Sequence, residues 1–331
     1  AGKQAEPGSG EGEKGGVMTE YRCAVIDSSF LSRRAFEANG PGAMFGAAVA
    51  LYCRLVRDFW VGQVVFAWEA RGAEKGAFRR RISSDYKSRR KPPPQEYIDA
   101  CEELQRALPL LGAWQAWSPA EADDVAYTIS REWPGPHLLW SADHDWAQFV
   151  TAGVHLLRPD CSQRPRDVAP DEWRRPGDTL VTPENIVEAT RLTAAGWFEV
   201  LCLAGDPTDD IPGLPRVGRM RAEAIHRACP TLVRDLTQMH DVDKEPPEAI
   251  CRDLRALCAA TEPAMAQWVE VAIREVDALR LSAALVQPYL VELTVEPPRD
   301  DGLDELRTWL EGHGLEAMFE QVARLLPEDD D

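Results

Sequence analysis

The stretch from Leu201 to Ala222 sets two kinds of chemistry side by side. Asp206 and Asp209 are hard oxygen donors in a turn that follows the apolar run Trp197 to Leu203. Shortly after, Gly213-Leu-Pro-Arg-Val-Gly218 reads as a Gly/Pro hairpin opening a helix from about Arg219. Backbone N–H groups exposed by such a turn at a helix N-terminus suit a phosphate. Carboxylates beside that turn point to metal-assisted chemistry on a phosphodiester. Two simpler readings compete. Asp-Pro-Thr-Asp-Asp fits a plain turn with a helix cap. Gly213 to Met220 is also close to the nucleotide-binding pattern G-x-x-x-x-G-K-[ST]. Arg219 and Met220 stand where its lysine and magnesium-binding hydroxyl belong, so that reading fails on chemistry.

Further acids end the runs that should form strands. Cys23-Ala-Val-Ile-Asp27 reads as a first buried strand closing on a carboxylate, and Gln63 to Trp68 as a second, followed by Glu69. His137 to Ser141 reads as a third, followed by Asp143-His144-Asp145, where the two acids share one face of an extended chain. Val154 to Leu157, an edge strand at Thr179 to Val181 and a late strand within Pro288 to Val295 complete the expected sheet. Between them the spacing predicts a short helical piece to Phe36, a break at Gly40-Pro41-Gly42 and a long helix from Ala43 to Phe59. An amphipathic helix follows from Glu96 to Leu111. Another opens at Ser118-Pro-Ala-Glu121-Ala-Asp123-Asp124, where Ser118, Pro119 and Glu121 alone would make an ordinary capping box. Thr182 to Asn185 caps a further helix, and from Arg219 onward the chain reads as helical, with an irregular segment at Met239 to Pro247.

Asp27, Glu69, Asp143 and Asp145 therefore fall at the C-terminal ends of strands, the edge where open α/β sheets bind ligands. Glu121, Asp123, Asp206 and Asp209 sit at helix starts that could face the same edge. Carboxylates gathered in one place repel unless counter-charge is supplied. All-oxygen ligation favours magnesium or manganese. Two such ions serve both the attacking and the leaving oxygen of an in-line displacement. His144 reads as a bystander rather than a ligand.

Composition narrows the partners. With 331 residues the chain holds one large domain or two smaller ones. No apolar run approaches the ~20 residues of a membrane span, and the first residues carry no secretory signal. Residues 1–19 read as a disordered tail. The eight cysteines form no C-x-x-C pair and suit reduced thiols in the cytosol. A net charge of −18 argues against a generic nucleic-acid coat. The sign is uneven, however: the end at 327–331 is acidic, while Arg71 to Lys91 is a basic block containing Arg79, Arg80 and Arg81. Local positive charge in an acidic chain marks either a nucleic-acid contact or a solvated loop.

In combination, Val-Ile-Asp27-Ser-Ser, Ala-Trp-Glu69, Tyr86-Lys87-Ser-Arg-Arg90, Glu121-Ala-Asp-Asp124, Ser-Ala-Asp143-His-Asp145 and Gly-Asp206-Pro-Thr-Asp209-Asp-Ile-Pro-Gly213 resemble the 5′-3′ exonuclease/flap endonuclease family. That family includes phage 5′ nucleases and the 5′ nuclease domain of bacterial DNA polymerase I. The resemblance runs from about Tyr21 to Leu325. It implies an α/β, PIN-like sheet flanked by helices over residues 20–200, with a helical arch at 71–110. A helix-hairpin-helix DNA-binding subdomain would occupy 201–326. It further implies one metal site at Asp27, Glu69, Glu121 and Asp123 and another at Asp143, Asp145, Asp206 and Asp209, with Asp124 standing behind them. The ions would be two Mg2+, replaceable by Mn2+. Tyr86, Lys87 and Arg90 would lie at the base of the arch, and Arg79, Arg80 and Arg81 would contact DNA. Gly213, Leu214, Arg216, Gly218 and Arg219 would form the hairpin gripping duplex phosphates, with a K+ ion. Substrates would be DNA with a 5′ single-stranded arm or a nick, cut near the junction by a monomer in the cytoplasm, on the nucleoid or in a phage-infected cell. A replication polymerase would be the partner. A PIN-like ribonuclease, or a nuclease for RNA–DNA hybrids, shares the acids but generally lacks the hairpin. A non-catalytic branched-DNA binder should have lost acids. Departures from the family pattern are Glu69 for an Asp, Asp210 for an Asn, His144 for a Lys and Arg216 for a Gly.

Overall fold

A computed structural model describes residues 21–70, 76–161, 177–237, 246–299 and 302–325. The expected tails at 1–19 and 327–331, the start of the basic block and most of the irregular segment after Met239 lie outside the described residues.

The apolar runs pair into one seven-stranded sheet. At its centre β1 (Cys23–Asp27) lies parallel to β2 (Gln63–Trp68) on one side and to β4 (His137–Trp140) on the other. β2 continues in parallel to β3 (Trp114–Trp117), and β4 to β5 (Val154–Arg158). The antiparallel strands β6 (Thr179–Val181) and β7 (Thr294–Glu296) close the edges, giving the order β6-β5-β4-β1-β2-β3-β7. Every residue of β1 is buried, as a central parallel strand covered on both faces requires.

Alternation along the strands feeds two cores. Cys23, Val25, Val65 and Leu139 face α4 (Ala122–Glu132), α6 (Ala194–Ala204), α7 (Arg219–Ala228) and α11 (Val276–Val286). Ala24, Ile26, Phe66 and Leu138 face α1 (Ser28–Phe59), α3 (Gln95–Ala107), α12 (Leu303–Gly312) and α13 (Glu316–Ala323). α1 breaks where Asn39 and Gly40 leave helical geometry, with φ +77° at Gly40, and Pro41 restarts it. Among the described residues no helix is long and apolar enough to cross a membrane.

Three expectations change. The strand β3 was not anticipated, because Gln115 interrupts its apolar pattern. Gln115 is fully buried and satisfied by Trp68, the Gln105 carbonyl and Glu296. The helix expected from Ser118 starts at Ala122, with Glu121 as its cap and the Glu121 N–H donating to Asp124. Asp143 and Asp145 do not lie in extended chain. Asp143 caps a 3-10 turn over His144–Phe149 by accepting from the Asp145 N–H. Around the sheet, α6, α7 and α11 share one core, while α12 and α13 return to its opposite face.

Candidate active site

The chain leaves β1 toward β2 and β3 on one side and toward β4 and β5 on the other. The C-terminal edge at that reversal is where open α/β sheets form a crevice. A cavity of about 220 Å³ lies there, lined by Asp27, Glu69, Glu121, Asp123, Asp143, Asp145 and Asp209, together with Tyr86, Lys87 and Arg90. The structure thus brings together acids spread across most of the sequence. Asp206 is absent from the cavity wall. It accepts from the Thr208 N–H at 2.7 Å, and its charge acts on Asp145.

Each acid is held by its own element. Asp27 caps α1 by accepting from the Phe30 N–H at 2.9 Å, and its other oxygen accepts from Ser141 Oγ at 2.7 Å. Glu69 accepts from Ser29 Oγ at 3.2 Å, and Asp123 from Trp146 Nε1 at 2.7 Å. Ser141 Oγ also accepts from the Asp143 N–H at 3.0 Å, which ties the two neighbouring strands at their acidic ends. Ser29, Ser141 and Trp146 carry no chemistry in the sequence reading, although each lies within two residues of an acid or cap that did. Leu285 and Val286 of α11 and Ile211 also line the cavity, and no sequence signal singles them out.

Burial and mutual repulsion raise the proton affinity of Asp27, Asp123, Asp145 and Asp209. Burial, with Asp143 and Glu69 nearby, pushes Asp27 up to about 6 despite its hydrogen bonds from Ser141 and Phe30. Asp123 rises well above the ordinary carboxylate range through burial and then the charges of Asp143, Glu121 and Asp27. Asp145 rises for the same reasons, with Asp143, Asp206 and Asp209 adding to burial. Glu121 goes the other way. Its burial is outweighed by Lys87 and Arg79, which hold it below the ordinary value.

The cations come from the turn after α2 (Ala77–Ile82). Lys87 Nζ donates to Glu121 Oε1 at 2.5 Å and lies 3.5 Å from Asp209; Tyr86 Oη donates to Glu121 Oε2 at 2.9 Å, and Arg90 pairs with Asp209. Lys87 has φ +55°, a left-handed conformation uncommon outside glycine and asparagine, and its N–H donates to the Asp209 carbonyl. Strain of this kind concentrates where a side chain must be aimed.

The donor set is all oxygen, as hard divalent ions require. Among the described residues no three acidic, histidine or cysteine side chains stand close enough to enclose an ion as they are placed. Lys87 and Arg90 lie instead on Glu121 and Asp209 and supply the positive charge. The carboxylates gathered around one cavity still fit divalent cations, which would neutralise more charge than two side chains do.

Several assigned roles need correction. Asp124 is completely buried and both its oxygens are used, by Arg79 on one side and by the Glu121 and Tyr289 N–H groups on the other. It orders the start of α4 and offers no free oxygen to an ion. Arg79, expected to contact DNA, is 2% exposed. It binds Asp124 at 2.5 Å and the carbonyls of Leu285 and Gln287. Arg80 and Arg81 are exposed. Arg79→Met should therefore leave Asp124 buried without its partner and cost about 3–5 kcal/mol in denaturant unfolding. Arg80→Ala with Arg81→Ala should leave stability within about 0.5 kcal/mol.

The hairpin also divides. Gly213 has φ +59°, and a Cβ there would meet Gly205 N at 2.5 Å, so this glycine permits two backbone segments to touch. Its N–H is spent on Ser282 Oγ, and Leu214 is buried with its N–H on the Leu203 carbonyl. Neither faces a phosphate. Gly218 caps α7, and a Cβ there would meet open space. Among the described residues the N–H groups of Gly218, Arg219 and Met220 have no hydrogen-bond partner, which leaves the helix N-terminus open to an anion. Arg219 stacks 4.2 Å from the Trp197 ring centroid. Arg216 and Asp210 both have positive φ, at 63° and 58°. Glycine at 216 or asparagine at 210 would adopt that conformation with less strain. Arg216→Gly should raise stability by about 0.5–1 kcal/mol in denaturant melts by relieving the left-handed backbone. It should weaken duplex DNA binding at the same time.

A mostly parallel sheet with acids converging at its reversal point, and a cationic turn over them, defines an α/β protein with an acidic cavity at its sheet edge. Residues 22–185 match the 5′-3′ exonuclease, N-terminal resolvase-like domain, and that segment of the chain carries this domain. It is 27% identical over 219 residues to the thermostable DNA polymerase I of Thermus thermophilus, covering 62% of this chain and 24% of the polymerase. It is 26% identical over 195 residues to a 5′-3′ exonuclease of Halalkalibacterium halodurans, covering 57% of this chain and 59% of the other. Both matches span less than two thirds of the relative's own length. The fold is shared with the bacteriophage T5 5′-exonuclease, solved with zinc ions, at a TM-score of 0.54 and 15% identity over 92% of this chain and 98% of that one. It is shared also with the catalytic core of Rad2 in complex with DNA substrate, at 0.52 and 14% over 93% of each chain.

Proposed function

We propose that this chain is a metal-dependent, structure-selective 5′ nuclease that hydrolyses DNA phosphodiesters near single-strand/duplex junctions. The observation that carries the reading is the cavity at the sheet's reversal point, where seven carboxylates meet Lys87 and Arg90. Relatives named as 5′-3′ exonucleases and fold neighbours solved with divalent metal or DNA support it. Asp27, Glu69, Glu121 and Asp123 would hold one magnesium or manganese ion, and Asp143, Asp145, Asp206 and Asp209 a second. Such ions, when bound, polarise the phosphodiester and ready a water for attack. Lys87, the cation between Glu121 and Asp209, offsets charge developing on the phosphoryl oxygens, and Tyr86 fixes Glu121 beneath it. The open N-terminus of α7, with Arg216 and Arg219, holds duplex phosphates and positions the substrate without reading sequence. A potassium ion at this hairpin belongs to the same reading. Digestion of 5′-labelled flap, nicked duplex and single-stranded DNA tests the proposal. Cutting near the flap junction only with magnesium is expected, and equal cutting in EDTA would refute it.

The raised carboxylates also set a pH dependence. Asp27 stands at about 6 in the fold against 3.8 ordinarily, so the folded chain binds more protons than the unfolded one between those values. The stability it contributes is present below its unfolded value and lost as pH rises through about 6, by about 3 kcal/mol for this one group. In EDTA the melting temperature should therefore fall between pH 5 and pH 8. Magnesium should restore it most at pH 8, where the acids are ionised. A flat profile in EDTA would show that the acids are not holding protons.

A further inference from the structure

A second cavity, of about 330 Å³, opens on the same sheet edge beyond Asp143 and Asp145. His144, Arg158, Asp160, Cys161, Thr179 and Ala189 line it, at the ends of β4 and β5 and the start of β6. The nuclease reading makes no use of it.

Two guanidinium groups border it. Arg158 lies at the end of β5 with Nη2 3.2 Å from His144 Nδ1, and its Nε is buried with no hydrogen-bond partner. Burial lowers its proton affinity by more than Cys161 and Asp143 restore. From α1, Arg34 reaches the same wall, with Nη1 2.8 Å from Cys161 Sγ and Nη2 donating to the Asp160 carbonyl at 3.2 Å. Its guanidinium lies 5.8 Å from the ring centroid of Phe30, which itself lines the acidic cavity. Among the described residues neither Arg34 nor Arg158 pairs with a carboxylate. The wall is also firm, since His144 stacks on the buried Trp197 ring with centroids 5.2 Å apart and planes 13° from parallel.

A half-buried guanidinium whose Nε has no hydrogen-bond partner asks for an anion, and the planar fork of arginine matches phosphate oxygens. The volume exceeds that of a bare phosphate and suits a phosphate carrying its sugar. Asp160 is the opposing charge in this wall, and it would press an anion toward Arg158. We propose that this cavity is a second phosphate subsite, holding a backbone phosphate of the nucleic-acid strand adjacent to the acidic cavity. The inference rests on the nuclease reading, and Arg158 is its principal ligand.

Cys161 supplies a local probe, because all eight cysteines are free and only Cys161 is exposed. The test is carried out in EDTA, on the full chain, with 5′-flap DNA whose binding is followed separately by anisotropy. Bound DNA should slow iodoacetamide alkylation of Cys161 severalfold. Arg158→Gln should weaken binding by roughly tenfold and flatten its salt dependence by about one unit, and Arg158→Lys should recover part of the loss. A scan placing one neutral methylphosphonate at successive positions should find a linkage whose replacement weakens the wild-type chain but not Arg158→Gln. DNA that binds without protecting Cys161, or a methylphosphonate penalty identical in wild type and variant, overturns the subsite and leaves the nuclease reading standing. DNA that binds none of these proteins overturns the nuclease reading itself, and the subsite with it.

Discussion

Asp143→Asn should lower single-turnover cleavage of a 5′ flap by roughly three orders of magnitude, the scale of losing one preorganised electrostatic partner of a transition state. Flap binding in calcium should stay within about twofold, inside the error of an additive surface change. The expectation follows from what this carboxylate does and does not support. It lies just after β4, beside β1, and its charge raises Asp27, Asp123 and Asp145 together. Its structural duty is slight: one oxygen accepts from the Asp145 N–H at 3.0 Å, a contact that an asparagine oxygen can keep. Removing the charge also relieves repulsion, so the variant should melt higher than wild type in EDTA at pH 8. Loss of binding by the same factor as loss of rate would make Asp143 structural.

Lys87→Ala should lower the single-turnover rate by roughly two orders of magnitude with a smaller effect on affinity. Lysine is scarce in this chain, and this one is placed by a left-handed backbone, an N–H bond to the Asp209 carbonyl and a 2.5 Å contact to Glu121. Burial alone would lower its proton affinity, but Glu121 more than offsets that, so it stays charged throughout the accessible pH range. Glu121 keeps Tyr86 and Arg79, the latter at 3.4 Å, after the substitution, which limits the loss of folding stability. Equal losses in rate and affinity would reduce Lys87 to general attraction for DNA.

The central strands and their terminal acids were legible because a buried parallel strand writes a continuous apolar run, and Asp27 and Glu69 interrupt it at its end. The family pattern then joined acids whose spacing alone could not be related. What stayed hidden depends on packing across long separations. Charge patterning could not distinguish Arg79, folded inward onto Asp124 and the end of α11, from its exposed neighbours Arg80 and Arg81. Glycine spacing marked the hairpin but not its two sides. Gly213 turns inward to Gly205 and Ser282, whereas Gly218 faces outward. β3 was hidden by one buried glutamine whose partners lie in three other segments. The Arg158 cavity left no motif at all, since its walls come from three strand ends and a short helix.

The central claim is that the acidic cavity is the metal site of a 5′ nuclease. The most direct measurement counts Mn2+ bound per chain by electron paramagnetic resonance, with uncleaved 5′-flap DNA present, in wild type and in Asp143→Asn. Two ions per wild-type chain, at least one fewer in the variant, and flap cleavage that rises with their occupancy are the predicted result. Binding that is absent, or unchanged by Asp143→Asn, would contradict the account.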